Sequence, residues 1–261
     1  MVDRPSGPSF PPIQPYVVPP ITPPASGLAI SPVDETGWML AFEDGFRNGV
    51  DLMAWSYITG TALQGCMLWD ATAVATSADG LTLSIFYDGM QWHGGGLQQR
   101  LSLNAMVTYY RVEARMRVPA AQGIGPIVAM IPQSGDSLPM LRVVEAPGSV
   151  KQQASASWHW VGPAGSQDDQ TERATFVLDM TQWHVFTAEQ TAAGFRYWID
   201  GVPQSTPDSW EQNNNGLVSM IMMLGSFVAV ASDAWYGGAP DGTTPLTYTS
   251  YTDYVRIWTP A

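Results

Sequence analysis

Tyr110-Arg111-Val112-Glu113-Ala114-Arg115-Met116-Arg117-Val118-Pro119 is the stretch on which the fold turns. Apolar and charged side chains alternate along it, and successive side chains leave a strand on opposite faces, so the run reads as a strand with two unlike sides. Outward from it, Leu81-Thr82-Leu83-Ser84-Ile85-Phe86-Tyr87, His184-Val185-Phe186-Thr187-Ala188-Glu189 and Phe195-Arg196-Tyr197-Trp198-Ile199-Asp200 alternate or are rich in β-branched and aromatic residues. Ala78-Asp79-Gly80, Tyr87-Asp88-Gly89, Asp200-Gly201 and Pro240-Asp241-Gly242 supply turns between such runs. No segment sustains a helical period. Many short strands with few helices predict an all-β fold, a two-sheet antiparallel jelly-roll sandwich, with residues 31–261 as one domain.

Residues 1–30 read differently. Nine prolines between Pro5 and Pro24 remove backbone donors and favour polyproline II, which predicts an extended Pro-rich arm. Such composition often marks a flexible tail. Phe10, Ile13, Tyr16, Val17, Val18 and Ile21 make this one too apolar for an inert spacer, so the arm is expected to lie on its own body or on protein neighbours in an assembly.

Composition narrows the function further. A chain of 261 residues with 45% hydrophobic content, 11 Trp and 10 Tyr can build a sizeable core. Its formal charge of −12, with Lys151 the only lysine, repels nucleic-acid phosphates and anionic membranes, so neither is an expected partner. No apolar run approaches the roughly 18 residues needed to span a bilayer, so no membrane insertion is expected. Cys66 stands alone, which excludes an intrachain disulfide and a cysteine-based metal cluster; a lone cysteine is ordinarily a small buried hydrophobe. Met1-Val2-Asp3-Arg4-Pro5 has neither the basic nor the apolar region of a signal peptide. The expectation is an extracellular, surface- or virion-associated protein that leaves the cell by another route or carries a leader beyond these residues.

Six blocks, in order, resemble glycoside hydrolase family 16, the concanavalin A-like jelly roll of laminarinases, lichenases and exopolysaccharide glucanases. Phe42-Glu43-Asp44-Gly45-Phe46, followed by Met53-Ala54-Trp55-Ser56, is similar to the opening "FEDEF…W". Gly95-Gly96-Leu97-Gln98-Gln99-Arg100 resembles the strand entering the cleft. Tyr110 to Pro119 is very close to "YFEARMKVP", and Gly123-Ile124-Gly125-Pro126 matches "GIWPAFW" without its tryptophans. Trp183-His184-Val185-Phe186 through Trp198-Ile199-Asp200-Gly201 resembles "FHTYGVEWTP…WYVDG", and Asp253-Tyr254-Val255-Arg256-Ile257-Trp258 the terminal "DYVRVW". The resemblance spans roughly residues 38–258.

Members of that family are retaining enzymes, which need two carboxyl groups about 5–5.5 Å apart, one as nucleophile and one as acid/base. A strand can deliver such a pair, because residues two apart share a face and a bulge can return a residue three further on to the same side. Laying Pro139-Met140-Leu141-Arg142-Val143-Val144-Glu145 on the family's "PEIDIME" puts Met140 at the nucleophile, Arg142 at the helper aspartate and Glu145 at the acid/base. A thioether cannot replace a carboxylate nucleophile. An arginine beside Glu145 would also favour the carboxylate form, which is not the proton donor a leaving group needs. Asp136 lies just upstream, but Gly135-Asp136-Ser137 reads as a turn.

The cleft implied by the resemblance looks thinned, with Gly125 and Val128 in place of two aromatics. Trp92, Trp158, Trp160, Trp210, Trp235 and Tyr236 remain, and His93, Arg100 and His159 could donate to hydroxyls. Trp92, Arg100, His159, Trp160, Trp235 and Tyr236 are the candidate sugar-binding residues, weighed against ordinary core or rim packing for each. Many relatives hold a structural Ca²⁺ on the convex face with the Asp of "DYVRV" and main-chain carbonyls. Asp253 matches that position and Glu43 lies in the strand that would neighbour it; the plain alternative is a strand-end carboxylate. No other cofactor is expected. Three readings follow: a non-hydrolytic descendant of the scaffold that binds β-glucan or another polysaccharide or serves structural attachment; an active endo-β-glucanase with displaced carboxylates; and a purely structural surface-layer or virion decoration protein.

Overall fold

The computed structural model describes residues 30–62, 66–100, 109–134, 138–147, 153–161, 169–192, 194–207, 218–231 and 234–261. The Pro-rich arm, apart from Ile30, lies outside the described residues, as do Asp136, Lys151 and Trp210. The domain opens with β1 Trp38–Asp44, β2 Trp55–Tyr57, β3 Gly60–Thr61, β4 Met67–Trp69, β5 Val74–Ser77 and β6 Gly80–Tyr87. Next come β7 Trp92–Gly94, β8 Gly96–Gln99, β9 Tyr110–Arg117, β10 Ile124–Pro132, β11 Met140–Glu145 and β12 Gln153–Val161. The last six are β13 Asp169–Val177, β14 His184–Thr191, β15 Gly194–Ile199, β16 Val202–Gln204, β17 Met220–Val228 and β18 Thr247–Pro260.

Among the described residues these strands form two sheets, as the alternation predicts. One has eleven strands in the order β16-β15-β14-β9-β18-β6-β7-β4-β3, with β1 on β18 and β5 on β6. The other has seven, in the order β13-β12-β11-β10-β17-β8-β2. Apart from the parallel pair β4–β7, the pairings are antiparallel. The chain steps from one sheet to the other at Gly95: its N–H donates to Ser84 of the large sheet at 2.9 Å, and its carbonyl accepts from Ser226 of the small one at 3.0 Å.

The opening stretch, β9, sits mid-sheet between β14 and β18. Val112, Ala114 and Met116 face the interior, where they join a core that includes Leu141, Val144, Trp158, Phe186 and Val255. Its charged residues Arg111, Glu113 and Arg115 are buried as well, and each has partners. Arg111 meets Glu189 at 2.9 Å, Arg115 meets Asp253 at 2.6 Å, and Glu113 accepts from Tyr254 at 2.9 Å and Arg256 at 3.3 Å. A buried charge left unpaired would cost several kcal/mol, roughly 3–5 when one partner is removed, so this pairing is what lets the alternating face be covered.

Aromatic contacts bind the sheets together: Trp158 on β12 packs on Phe195 of β15 at 4.8 Å, and Phe176 on β13 stacks on Tyr197 of β15 at 5.2 Å. Among the described residues no helix is long and apolar enough to cross a membrane.

Candidate functional site

The small sheet carries the candidate site, and its geometry is set by a bulge in β11. Against β12, Arg142 pairs with Ser157 and Glu145 with Ser155, so three steps on one strand oppose two on the other. Against β10 the register slips at the same place, with Ala129 opposite Arg142 and Val128 opposite Val144. The extra residue turns Glu145 back to the face of Met140 and Arg142. The bulge is fixed from behind by the Tyr197 hydroxyl, which donates to the Val143 carbonyl at 2.6 Å.

Glu145 is fully buried, and its two oxygens already accept from three groups. Arg142 Nη1 donates to Oε1 at 2.7 Å, the Tyr236 hydroxyl to the same oxygen at 2.5 Å, and Arg173 Nη2 to Oε2 at 3.0 Å. Burial, and then the neighbouring Glu145 charge, push the Tyr236 phenol well above its ordinary range, so it remains an O–H donor. Arg173 reaches in from β13, where it pairs with Ser157, and its guanidinium lies 4.3 Å over the Trp235 ring. The side chains of Arg142 and Arg173 are 22% and 26% exposed, while that of Glu145 is fully enclosed. The positions flanking Arg142 and Glu145 in register on this face are Met140, Ser155, Ser157, His159, Ile127 and Ala129, none of them acidic.

Several predicted positions stand elsewhere. Trp160 packs in the core between the sheets, because strand alternation sends it to the side opposite His159. Trp92 is on β7 in the large sheet, where its ring packs on Tyr87 at 5.2 Å. His93 is stacked on Phe86 with its ring nitrogens 3.0 and 3.1 Å from Asp70 and Asp88. Val128 points into the core, and Ala129 holds the cleft-side position beside it. His159 does share the face of Met140 and Arg142, but it is buried with Nε2 3.0 Å from the Ser157 hydroxyl. Arg100 follows β8, exposed, with Nη1 donating to the Leu52 carbonyl at 2.8 Å. Trp235 and Tyr236, expected as open stacking surfaces, are instead engaged by Arg173 and by Glu145.

The sequence reading missed Arg173, Trp69 and Phe227. Gly225 and Gly96 are register partners on β17 and β8, and a Cβ on either would come within 2.9 Å of the Trp69 ring. Trp69 therefore lies over a floor that only glycine leaves free. Phe227, also half-buried, faces the same side two residues on and meets Tyr236 edge-on at 4.8 Å. Gly125 is opposite Phe227, and a Cβ there would sit 2.2 Å from Tyr236 Cε1. The aromatic missing from the strand at Gly125 is thus replaced by one from the loop at 234–240. The signal was present in the three glycines, but a glycine in a strand does not say which ring crosses it.

The family model of glycosyl hydrolases family 16 matches residues 64–255. The chain belongs to that family. Among solved structures, the laminarinase catalytic domain from Thermotoga maritima superposes with a TM-score of 0.71 at 17% identity, covering 86% of this chain and 99% of that one. The endo-β-1,3-glucanase from Pyrococcus furiosus gives 0.69 at 20%, covering 86% and 95%. The endo-1,3-β-glucanase from Streptomyces sioyaensis gives 0.70 at 19%, covering 88% and 99%. At such identities the likeness is one of fold, and it is that of a family 16 jelly roll. No curated protein matches the chain.

The calcium ion that the family 16 resemblance implies does not fit the residues present. Both Asp253 oxygens are taken by guanidiniums, Oδ1 by Arg47 and Oδ2 by Arg115 at 2.6 Å. Glu43 Oε2 accepts from Arg256 at 2.6 Å. No group of three or more His, Cys, Asp or Glu converges among the described residues.

Proposed function

We propose that this protein is a non-hydrolytic member of family 16 that holds a β-glucan or a related polysaccharide without cleaving it. One observation carries the reading: Glu145, the acid in the family's catalytic strand, is buried with both oxygens committed to Arg142, Arg173 and Tyr236, while Met140 stands at the nucleophile position. A retaining displacement needs two carboxyl groups facing one space, and a buried acid cannot reach a glycosidic oxygen. Trp69, which reaches from β4 of the large sheet over Gly96 and Gly225, and Phe227 on β17 are both half-buried and supply flat apolar surfaces of the kind on which a pyranose ring stacks, and Gln98 and Ser56 are register partners on β8 and β2.

The test is calorimetric titration with laminari- and mixed-linkage oligosaccharides, with product analysis on the recovered ligand. The reading expects saturable binding, intact ligand, and an affinity lowered roughly tenfold, about 1.4 kcal/mol, by Trp69→Ala. Shortened oligosaccharides whose appearance depends on Glu145 would overturn it.

A further inference from the structure

We infer that Arg47 is a built-in cation, a guanidinium occupying the place where the family 16 resemblance implies a calcium ion. Three oxygens from two distant segments converge on it. Arg47 Nη1 donates to the Gly45 carbonyl at 2.9 Å and to the Asp253 carbonyl at 3.1 Å, and Nη2 donates to Asp253 Oδ1. Main-chain carbonyls together with one carboxylate make a donor set of the kind a hard cation takes, and a surface ion pair has no need of the two carbonyls. The turn that presents the Gly45 carbonyl is held in an unfavourable conformation: Phe46 has a φ of 58°, sparsely populated for a bulky side chain. Two contacts hold it there. The Phe46 N–H donates to Asp44 Oδ1 at 2.7 Å, and the ring is buried 5.7 Å from Trp55. Asp44 is fixed in turn by Trp55 Nε1, which donates to Oδ2 at 2.8 Å.

The oxygens are therefore positioned independently of the cation they face. Removing the Arg47 side chain frees them without dismantling the turn. A groove of about 630 Å³ lined by Phe42, Asp44, Gly45, Phe46, Arg47 and Asp51 runs beside the turn that carries Arg47. The remaining coordination of a calcium ion would come from water. Arg115, 2.6 Å from Asp253 Oδ2, stays in place and weakens such a site by its like charge. The affinity expected of the vacated site is accordingly modest, on the order of 10⁻⁴ to 10⁻³ M.

The experiment compares melting of the whole chain in about 10 mM calcium, in magnesium at the same ionic strength and in chelator, with calcium titration calorimetry alongside. The natural chain is expected to melt at the same temperature in all three and to take up no calcium. Arg47→Ala is expected to melt lower in chelator and to recover by about 3–10 °C in calcium, the shift for a ligand about ten- to a hundredfold above its dissociation constant. Adding Asp253→Asn to Arg47→Ala should abolish the recovery. Should Arg47→Ala not fold in chelator, refolding in calcium recovers it, and Arg47→Gln provides the milder variant for the same titration. Calcium uptake by the natural chain would overturn the inference. So would folded Arg47→Ala and Arg47→Gln proteins that neither bind calcium nor gain stability from it.

Discussion

Replacing Glu145 by Gln separates a structural acid from a catalytic one by the sign of its effect on stability. Glutamine keeps the volume, and its carbonyl oxygen can still accept from Arg142 and Tyr236, the two donors now at Oε1. Its amide nitrogen then faces Arg173, which presently donates to Oε2 at 3.0 Å, so donor meets donor where an ion pair stood. A hydrogen bond to a charged group is worth about 1.5–3 kcal/mol, and loss of the charge adds to that. The full penalty of breaking a buried pair, roughly 3–5 kcal/mol, is not reached, because both arginines are partly exposed and can rehydrate. The expected destabilisation is about 2–3 kcal/mol, a fall in Tm of about 4–12 °C for a chain of this size. Differential scanning calorimetry at pH 7, with urea unfolding to confirm an unchanged slope, gives the answer. A working acid is commonly held at some expense of stability, and neutralising it leaves Tm unchanged or raises it. A Glu145→Gln protein as stable as the natural one or more so would refute the reasoning.

Tyr197→Phe strips the donor from the buried Val143 carbonyl at the β11 bulge and is expected to lower stability by about 1–3 kcal/mol, read from urea unfolding. Gly96→Ala places a methyl carbon 2.8 Å from the Trp69 ring, so glycan affinity should fall by a similar factor to that of Trp69→Ala while the melting temperature drops by only a few degrees, about 2–4 °C per kcal/mol. At acid pH, backbone N–H groups of Gln91 and Met90, then His93, hold the Asp88 carboxyl at about 2, and Asp70 is likewise lowered, first by the Thr72 hydroxyl and N–H. A folded pKa below the unfolded one stabilises above the unfolded value and is lost as pH falls through the folded one. Stability should therefore decline between pH 4 and 2, and Asp88→Asn should flatten that decline in melting curves taken across the range.

The two-sheet sandwich was legible because the alternation at 110–118 and its companions leaves few other ways to bury so many half-apolar strands. The Arg142–Glu145 contact was legible too: two residues three apart meet on a strand only across a bulge, and the family pattern places one there. What failed was mostly parity. His159 and Trp160 are neighbours on one strand and cannot both face the cleft; the sequence already forbade reading them together. Val128 stands three residues from Gly125, and with no bulge between them they face opposite ways. Arg173 was invisible for a different reason, since which residue of β13 lies beside Ser157 depends on the register between two strands and not on either alone. The capping of Glu145 by Tyr236 joins positions 91 residues apart through a loop whose path no local pattern specifies. At Asp253 the residue type suggested a metal, while the arginine that faces it sits after a turn whose strained Phe46 gives no sequence signal.

The most direct measurement is a prolonged reducing-end assay of the purified chain on laminarin, lichenan and related β-glucans, run beside Glu145→Gln under identical conditions. A buried, triply engaged Glu145 predicts no release above the blank for either protein. Steady release by the natural chain that disappears in Glu145→Gln would contradict the account, and would mean that Tyr236, Arg142 and Arg173 open to expose the acid and that a second carboxylate reaches it.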